Sequence, residues 1–373
     1  MTIALLTNFP TPYRIPLYER LGRQDRTEVL CYGGGERYVP AWFNTDLGEN
    51  LRTLPFPARP LSGGPRQAYW AARRYDALVA PYAGGAVLPA AYVGARRHRT
   101  PFILWASVWA QPWSPAHLAA LPLTLDIYRR ADAVVAYGEH VRRFVAGIRG
   151  DDADIVVAPQ SVETDLFGRR IHRSEVGAFR AEHGLGTGPI VLYVGRLVAE
   201  KGVAVLADAW SRLVRAGIAA DATLVVAGDG PLSGALASAP QTRMLGPVPR
   251  AELPVVYAAA ACSVLASIPT RRFREPWGLV CNEAMHQGRP VVATTAVGAA
   301  AGGLVRDGDT GLVVVPGDPD ALSHAIGRLL GDETLRHRLG RRALAAVAPY
   351  NYDAMADAFE RAFTIAGVAP APS

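Results

Sequence analysis

Cys262-Ser263-Val264-Leu265-Ala266-Ser267, then Arg274-Glu275-Pro276-Trp277-Gly278-Leu279-Val280-Cys281-Asn282-Glu283-Ala284-Met285-His286-Gln287-Gly288, then Pro290-Val291-Val292-Ala293-Thr294-Thr295 read in succession as a buried strand, a short helix and a second buried strand. Neither apolar run alternates with polar residues, the pattern of strands covered on both faces in a mostly parallel sheet. Pro276 suits a first helical position, where its missing N–H and fixed φ cost nothing, and Gly288 with Pro290 suits the end. A helix starting there advances about 12 Å over eight residues and turns about 80° beyond two full turns. Glu275 is then expected at the N-terminal mouth and Glu283 deeper along a neighbouring face, so that two carboxylates span one elongated ligand. Gly278 has no side chain, so a ligand anion can approach the free N–H groups of the first turn, where the helix dipole favours negative charge. Alone, the first Glu would be an ordinary cap and the second a solvated residue. The flanking strands give the pair its weight, because open α/β sheets bind ligands at strand ends.

Outward from this unit the chain alternates in the βα manner. Strands are expected at residues 2–7, 28–32, 77–80, 101–105, 133–136 and 155–158, with helices from 16 and over 139–148. The pattern restarts with strands at 190–194, 223–227 and 244–245 and helices at 203–216 and 252–260. Helices at 320–330, 333–346 and 352–366 close the chain. The fold class expected is α/β with two Rossmann-like domains. The domains are placed at residues 1–170 and 189–349, joined by a charged, glycine-closed linker at 171–188.

The chain has 373 residues, 50% apolar and 19% charged, enough for two cores. A formal charge of +6 and a pI near 9.4 fit anionic partners. No basic run interleaved with aromatics points to nucleic acid. Cys31, Cys262 and Cys281 are odd in number and lack C-x-x-C spacing, so neither a disulfide framework nor a zinc site is encoded, which fits a reducing cytoplasm. The N-terminus lacks the basic start of a signal peptide and reads as a strand. Residues 77–95 carry no charge, but Pro81, Gly84, Gly85 and Pro89 break them into strand, loop and helix rather than a membrane span.

Val194-Gly195-Arg196-Leu197-Val198-Ala199-Glu200-Lys201-Gly202 joins a buried strand to a helix. Gly195 permits a sharp turn, and the planar fork of Arg196 and the point charge of Lys201 both suit a diphosphate. Gly228-Asp229-Gly230-Pro231 closes the next strand. With Gly234 it imitates G-x-G-x-x-G, but the third glycine is one residue late and Pro231 removes an amide, which disfavours a nicotinamide cofactor. Acidic D-x-D triplets at Asp152, Asp307 and Asp318 are scattered and read as turns, so no catalytic metal and no cofactor are expected. Trp105, Trp109 and Trp113 recur every fourth residue as on a helix face, although Pro112 interrupts them. They read first as core packing, and second as an acceptor platform. The basic runs Arg96-Arg97-His98-Arg99 and Arg271-Arg272 with Arg274 could meet an acidic membrane peripherally.

The loop at 194–202, Gly228–Pro231 and Glu275-x7-Glu283, followed by Ala284-Met285, Gly288, Pro290-Val291-Val292, Asp307-Gly308, Thr310-Gly311 and Pro316-Gly317, resemble the family-4 retaining glycosyltransferases of the GT-B fold. The resemblance is dense over residues 190–330 and thin before them. It implies two facing Rossmann-like domains, a metal-independent nucleotide-diphosphate sugar site in the second, a glycan or lipid-linked acceptor on the first, and a terminal helix at 350–367 crossing back to the first. Arg196 and Lys201 would clamp the diphosphate and Glu283 would accept the ribose hydroxyls. Glu275 would face the sugar, the amides of Gly278 and Leu279 would hold the distal phosphate, and Gly195, Gly228 and Gly230 would shape the donor loops. Arg14, Ser107 and Trp109 are the acceptor-side candidates. The family often carries a His after the strand matching 102–105, where this chain has Ala106-Ser107. That departure keeps a non-catalytic nucleotide-sugar-binding subunit open beside the transferase, and a nucleotide-sugar epimerase is a third reading.

Overall fold

The computed structural model describes residues 1–23, 26–33, 51–82 and 85–369; Gly84, named above as a breaker, lies outside them. The chain divides into two compact units, Met1–Gln160 with Tyr352–Ser373, and Ser161–Asn351.

In the first unit β1 (Ile3–Thr7), β2 (Thr27–Cys31), β3 (Ala58–Pro60), β4 (Ala77–Pro81), β5 (Phe102–Ala106), β6 (Ala133–Ala136) and β7 (Ile155–Val157) form one sheet in the order β3-β2-β1-β4-β5-β6-β7. Every pairing is parallel. The unbroken apolar runs of β1 and β5 are buried on both sides, as such strands must be. Leu104 packs on one face with Ala68, Tyr92 and Ile127 from helices Gly64–Ala71, Val87–His98 and Pro115–Arg130. Ile103 and Trp105 pack on the other with Leu17, Tyr18 and the C-terminal helix Tyr352–Ile365, whose Phe359 meets the Trp105 ring edge-on at 5.1 Å. The terminal helix thus packs within the first unit. Residues 77–81 form β4 and 87–95 the first part of helix Val87–His98, and no described helix is long and apolar enough to cross a membrane.

In the second unit β8 (Ile190–Val194), β9 (Thr223–Ala227), β10 (Thr242–Gly246), β11 (Cys262–Leu265), β12 (Val291–Thr294) and β13 (Gly311–Val314) run parallel in the order β10-β9-β8-β11-β12-β13. Each sheet reverses its order beside its first strand, between β1 and β4 and between β8 and β11, so both units are Rossmann-like. The linker expected at 171–188 is instead part of the second unit. Its helix Arg173–Glu182 opens on Glu175, which accepts from the His172 amide at 2.8 Å, and Arg180 donates to the carbonyls of Gly188 at 3.0 Å and Ala259 at 3.2 Å. The charged residues that suggested a linker are thus the solvent side and staples of a docked helix.

Candidate donor site at the β8/β11 switch point

The loops leaving β8 and β11 are locked together. Gly202, at φ +68°, caps helix Val203–Arg215 so closely that a Cβ would lie 1.9 Å from the Ala266 carbonyl oxygen. The Ile268 amide donates to the Glu200 carbonyl at 3.0 Å. This approach puts Lys201, at the end of the 3-10 turn Ala199–Lys201, against Glu275, and Nζ forms an ion pair with Oε2. Ser267 Oγ donates to the same oxygen at 3.0 Å. Both ionic side chains are largely buried, Lys201 at 16% and Glu275 at 8% exposure. A charge pair this enclosed needs such additional hydrogen bonding to offset desolvation.

The expected helix start at Pro276 is corrected. The helix runs Leu279–His286 behind Gly278 at φ +92°. Glu275 precedes it in extended backbone, bridged to Val297, with its carbonyl accepting from the Gly298 amide at 3.1 Å. Gly298 permits this contact, since a Cβ there would stand 2.1 Å from the Pro276 carbonyl oxygen. The helical spacing inferred between the two glutamates therefore does not apply. Gly278 is also glycine for a reason the sequence did not give: a Cβ would meet Leu265 Cδ2 at 2.5 Å, and the φ is left-handed. The short helix still opens beside Glu275, its first inward bond being the Cys281 amide to the Gly278 carbonyl at 2.9 Å. The preceding amides, including Gly278 and Leu279, belong to the turn that lacks intrahelical acceptors.

Glu283 lies on this helix but is held elsewhere. The Tyr257 hydroxyl donates to its Oε2 at 2.6 Å, and the residue is only partly buried. Burial raises its proton affinity above the usual carboxylate range, opposed by the Tyr257 bond and the nearby Arg250 charge. Arg250 is itself paired with Glu163 at 2.6 Å. Arg196 is the most exposed of the expected donor residues, with Glu200 at 3.6 Å as its ion-pair partner. Gly228 and Gly230 are explained by loop packing, since Cβ atoms there would stand 2.0 Å from the Gly195 oxygen and 2.6 Å from the Leu197 oxygen, and Gly195 by its φ of +147°. The structure thus joins Lys201 and Glu275 directly, adds Ser267 and Tyr257, and leaves Arg196 in solvent. Ser267 ends the strand run quoted at the outset and was legible by position; Tyr257 sits in a helix with no signal of its own.

The D-x-D residues behave as turns and caps. Asp318 accepts from the Asp320 and Ala321 amides at 2.9 Å, and Asp307 from the Val313 amide at 2.9 Å.

In the first unit Arg14 is 6% exposed, which corrects its assignment to the acceptor side. Its Nη2 donates to Gln160 Oε1 at 2.6 Å, and its guanidinium lies 4.8 Å from the Trp105 ring and 5.1 Å from Tyr137. Enclosed this way, it packs as an interior cation. Ser107 and Trp109 lie in the irregular stretch after β5, so the tryptophan repeat is not a helical stripe. Trp109 is partly buried and meets the buried His140 edge-on at 5.2 Å. His140 stands at the start of helix Glu139–Arg149 after β6.

Residues 188–332 match the family described as Glycosyl transferases group 1. The chain is similar to the alpha-D-kanosaminyltransferase of Streptomyces kanamyceticus, 32% identical over 265 residues covering 69% of this chain and 62% of the relative. It is also similar to the D-inositol 3-phosphate glycosyltransferase of Nocardia farcinica, 31% identical over 256 residues, 65% of this chain and 54% of the relative. A third relative is the GDP-mannose-dependent alpha-(1-6)-phosphatidylinositol monomannoside mannosyltransferase of Mycolicibacterium smegmatis, 32% identical over 228 residues and 57% of each chain. The matches thus span little more than half the length of these curated relatives. Among solved structures, Anabaena Alr3699/HepE in complex with UDP and glucose superposes with a TM-score of 0.76 at 20% identity, covering 98% of this chain and 99% of that one. Sucrose-phosphate synthase from Thermosynechococcus elongatus gives 0.73 at 21% identity and 98% of each chain. Residues 188–332, within the second unit, are thus similar to the glycosyl transferases group 1 family, and the chain as a whole has the GT-B fold of two Rossmann-like units.

Proposed function

We propose that this protein transfers a sugar, with retention, from a nucleoside-diphosphate sugar bound by the second unit to a glycan or lipid-linked acceptor bound by the first. The setting would be cytoplasmic synthesis of a cell-surface polysaccharide or glycolipid. The observation that carries the reading is the Lys201–Glu275–Ser267 cluster at the carboxyl ends of β8 and β11, beside a helix N-terminus, inside the group 1 match. The relatives named for kanosaminyl, inositol-phosphate and GDP-mannose-dependent transfer, and the fold neighbour holding UDP and glucose, support a nucleotide-sugar donor.

In this reading Lys201 keeps one of its three donors on Glu275 and turns the others to the diphosphate, joined by Arg196 from the solvent side. The amides of Gly278 and Leu279 take the distal phosphate, and Glu283 takes the ribose hydroxyls. Glu275 faces the sugar. As the glycosidic bond breaks, negative charge grows on the leaving phosphate while the ring becomes oxocarbenium-like, and fixed cations and amides meet the first of these. The leaving phosphate then accepts the acceptor's proton on the same face, which retains configuration. The test is release of nucleoside diphosphate from a panel of nucleotide sugars in the presence of an acceptor extract. Silence across all donors would overturn the reading, and donor binding without turnover would favour a non-catalytic subunit. Acceptor-independent conversion of the donor would favour an epimerase.

A further inference from the structure

The charge of this chain is not spread evenly. Between residues 51 and 125 the sequence has eight arginines and one carboxylate, Asp76, so this stretch carries +7 in a chain whose total is +6, and all other residues together sum to −1. It includes three helices side by side over one face of the first sheet: Gly64–Ala71, Val87–His98 and most of Pro115–Arg130. The His98 ring, 5.6 Å from Tyr69 and 5.7 Å from Trp70, ties the first to the second. The Tyr92 hydroxyl, donating to Asp126 at 2.6 Å, ties the second to the third.

Their outer sides combine exposed cations with bare apolar surface. Arg66, Arg73 and Arg74 are exposed, and no ion pair among the described residues neutralises them. Trp70 stands among them 44% exposed, with Arg73 5.6 Å over its ring, beside a cavity of about 290 Å3 that Arg59, Arg66 and Arg74 also line. On the third helix residues 115–125 have no formal charge, yet the residues it buries are Ile127 and Tyr128. Leu118 and Leu123 are 45% and 37% exposed, and Trp113, just ahead of the helix, is 57% exposed. An apolar helix start left outside the core marks an interaction surface, and a helix layer that exposes arginines with Trp70 at its first helix and Trp113 with leucines at its third fits the boundary of a charged lipid layer.

We propose that this three-helix face docks on an anionic lipid bilayer, with the arginines against headgroup charge and Trp70, Trp113, Leu118 and Leu123 in the boundary between headgroups and acyl chains. A soluble polyanion would meet the arginines and leave the leucines in water. A second copy of the chain would set like charges against each other. The surface belongs to the first unit and the candidate donor residues to the second, so this inference is tested apart from the transfer reaction.

The test sediments the full chain with phosphatidylcholine vesicles and with vesicles that also contain phosphatidylglycerol. At least tenfold more protein is expected on the anionic vesicles, falling as salt is raised from about 0.1 M to 0.5 M. Arg66→Glu with Arg73→Glu and Arg74→Glu, and separately Leu118→Asp with Leu123→Asp, should each lower binding at least tenfold while far-UV circular dichroism stays native. The unaltered protein supplies a readout that needs no variant: its tryptophan emission should shift to the blue with anionic vesicles and not with neutral ones. Equal binding to both vesicles, none to the anionic ones, or binding that survives either set of substitutions overturns the proposal. Diphosphate release is scored separately, so a failed transferase reading leaves the vesicle result intact.

Discussion

Lys201 and Glu275 are each other's solvation. Lys201→Met takes the counter-charge from a nearly buried carboxylate to which Ser267 still donates, and breaking such a pair costs about 3–5 kcal/mol of stability. Adding Glu275→Gln should recover most of that loss in thermal melts, because the orphaned charge is gone. Donor binding should stay weak in the double variant, by about 1.5–3 kcal/mol for a lost charge-assisted contact. Recovery of both properties would remove Lys201 from the donor site. Glu283 gives the opposite signature. The folded chain binds its proton more tightly than the unfolded chain, so the native state holds more protons between the two affinities and stability falls as pH rises through that window. Glu283→Gln keeps an acceptor for the Tyr257 hydroxyl and abolishes that fall. Its melting temperature should exceed that of the parent at about pH 8 and converge with it at about pH 4, while donor affinity drops. A gain equal at both pH values would contradict the raised proton affinity of Glu283.

At the scale of elements, the site depends on how closely backbones approach. Gly298→Ala would drive a Cβ into the Pro276 carbonyl and the Trp277 backbone, pushing out the segment that carries Glu275. An overpacking loss of about 1–3 kcal/mol is expected, with a raised donor KM, read by melts and initial rates. Such approaches also mark where the sequence could and could not be read. The strands 133–136, 190–194 and 223–227 were legible residue for residue, because an unbroken apolar run bounded by polar turns has few other uses. The start of the Leu279 helix was not: Pro276 carried the local signal, but the contacts of Gly278 with Leu265 and Val297 decide it from outside the segment. β3 escaped notice because it is three residues long and ends in proline at the sheet edge. Helix Pro115–Arg130 escaped because Pro122 reads as a breaker and its exposed apolar start gives no two-faced pattern. Within the site, Lys201 and Glu275 could be named from motifs, but their mutual ion pair is a tertiary fact.

At the scale of the whole molecule, the first unit is completed by the far end of the chain. Tyr352–Ile365 buries Tyr352, Met355, Phe359 and Phe363 in the same cluster as Cys31, and Arg20 pairs with Asp353 at 2.5 Å. Phe359→Ala should cost the first unit about 3–5 kcal/mol. The three thiols report this unit by unit. All are free and buried, and burial pushes Cys31 and Cys262 up to about 12, so each is inert until its surroundings open. In the variant Cys31 should react with a thiol reagent at lower denaturant than Cys262 and Cys281. Simultaneous reaction of all three would mean the two units melt as one.

That returning helix also bears on biosynthesis. A ribosome must make all of the second unit, roughly 190 residues, before it supplies the segment that covers the Leu17–Trp105 side of the first sheet. At about 5–20 residues per second, the nascent first unit waits on the order of ten to forty seconds with that greasy side uncovered. Slow translation or a premature stop before Tyr352 would lengthen or perpetuate the wait, and a holdase chaperone is the natural guest there in the meantime.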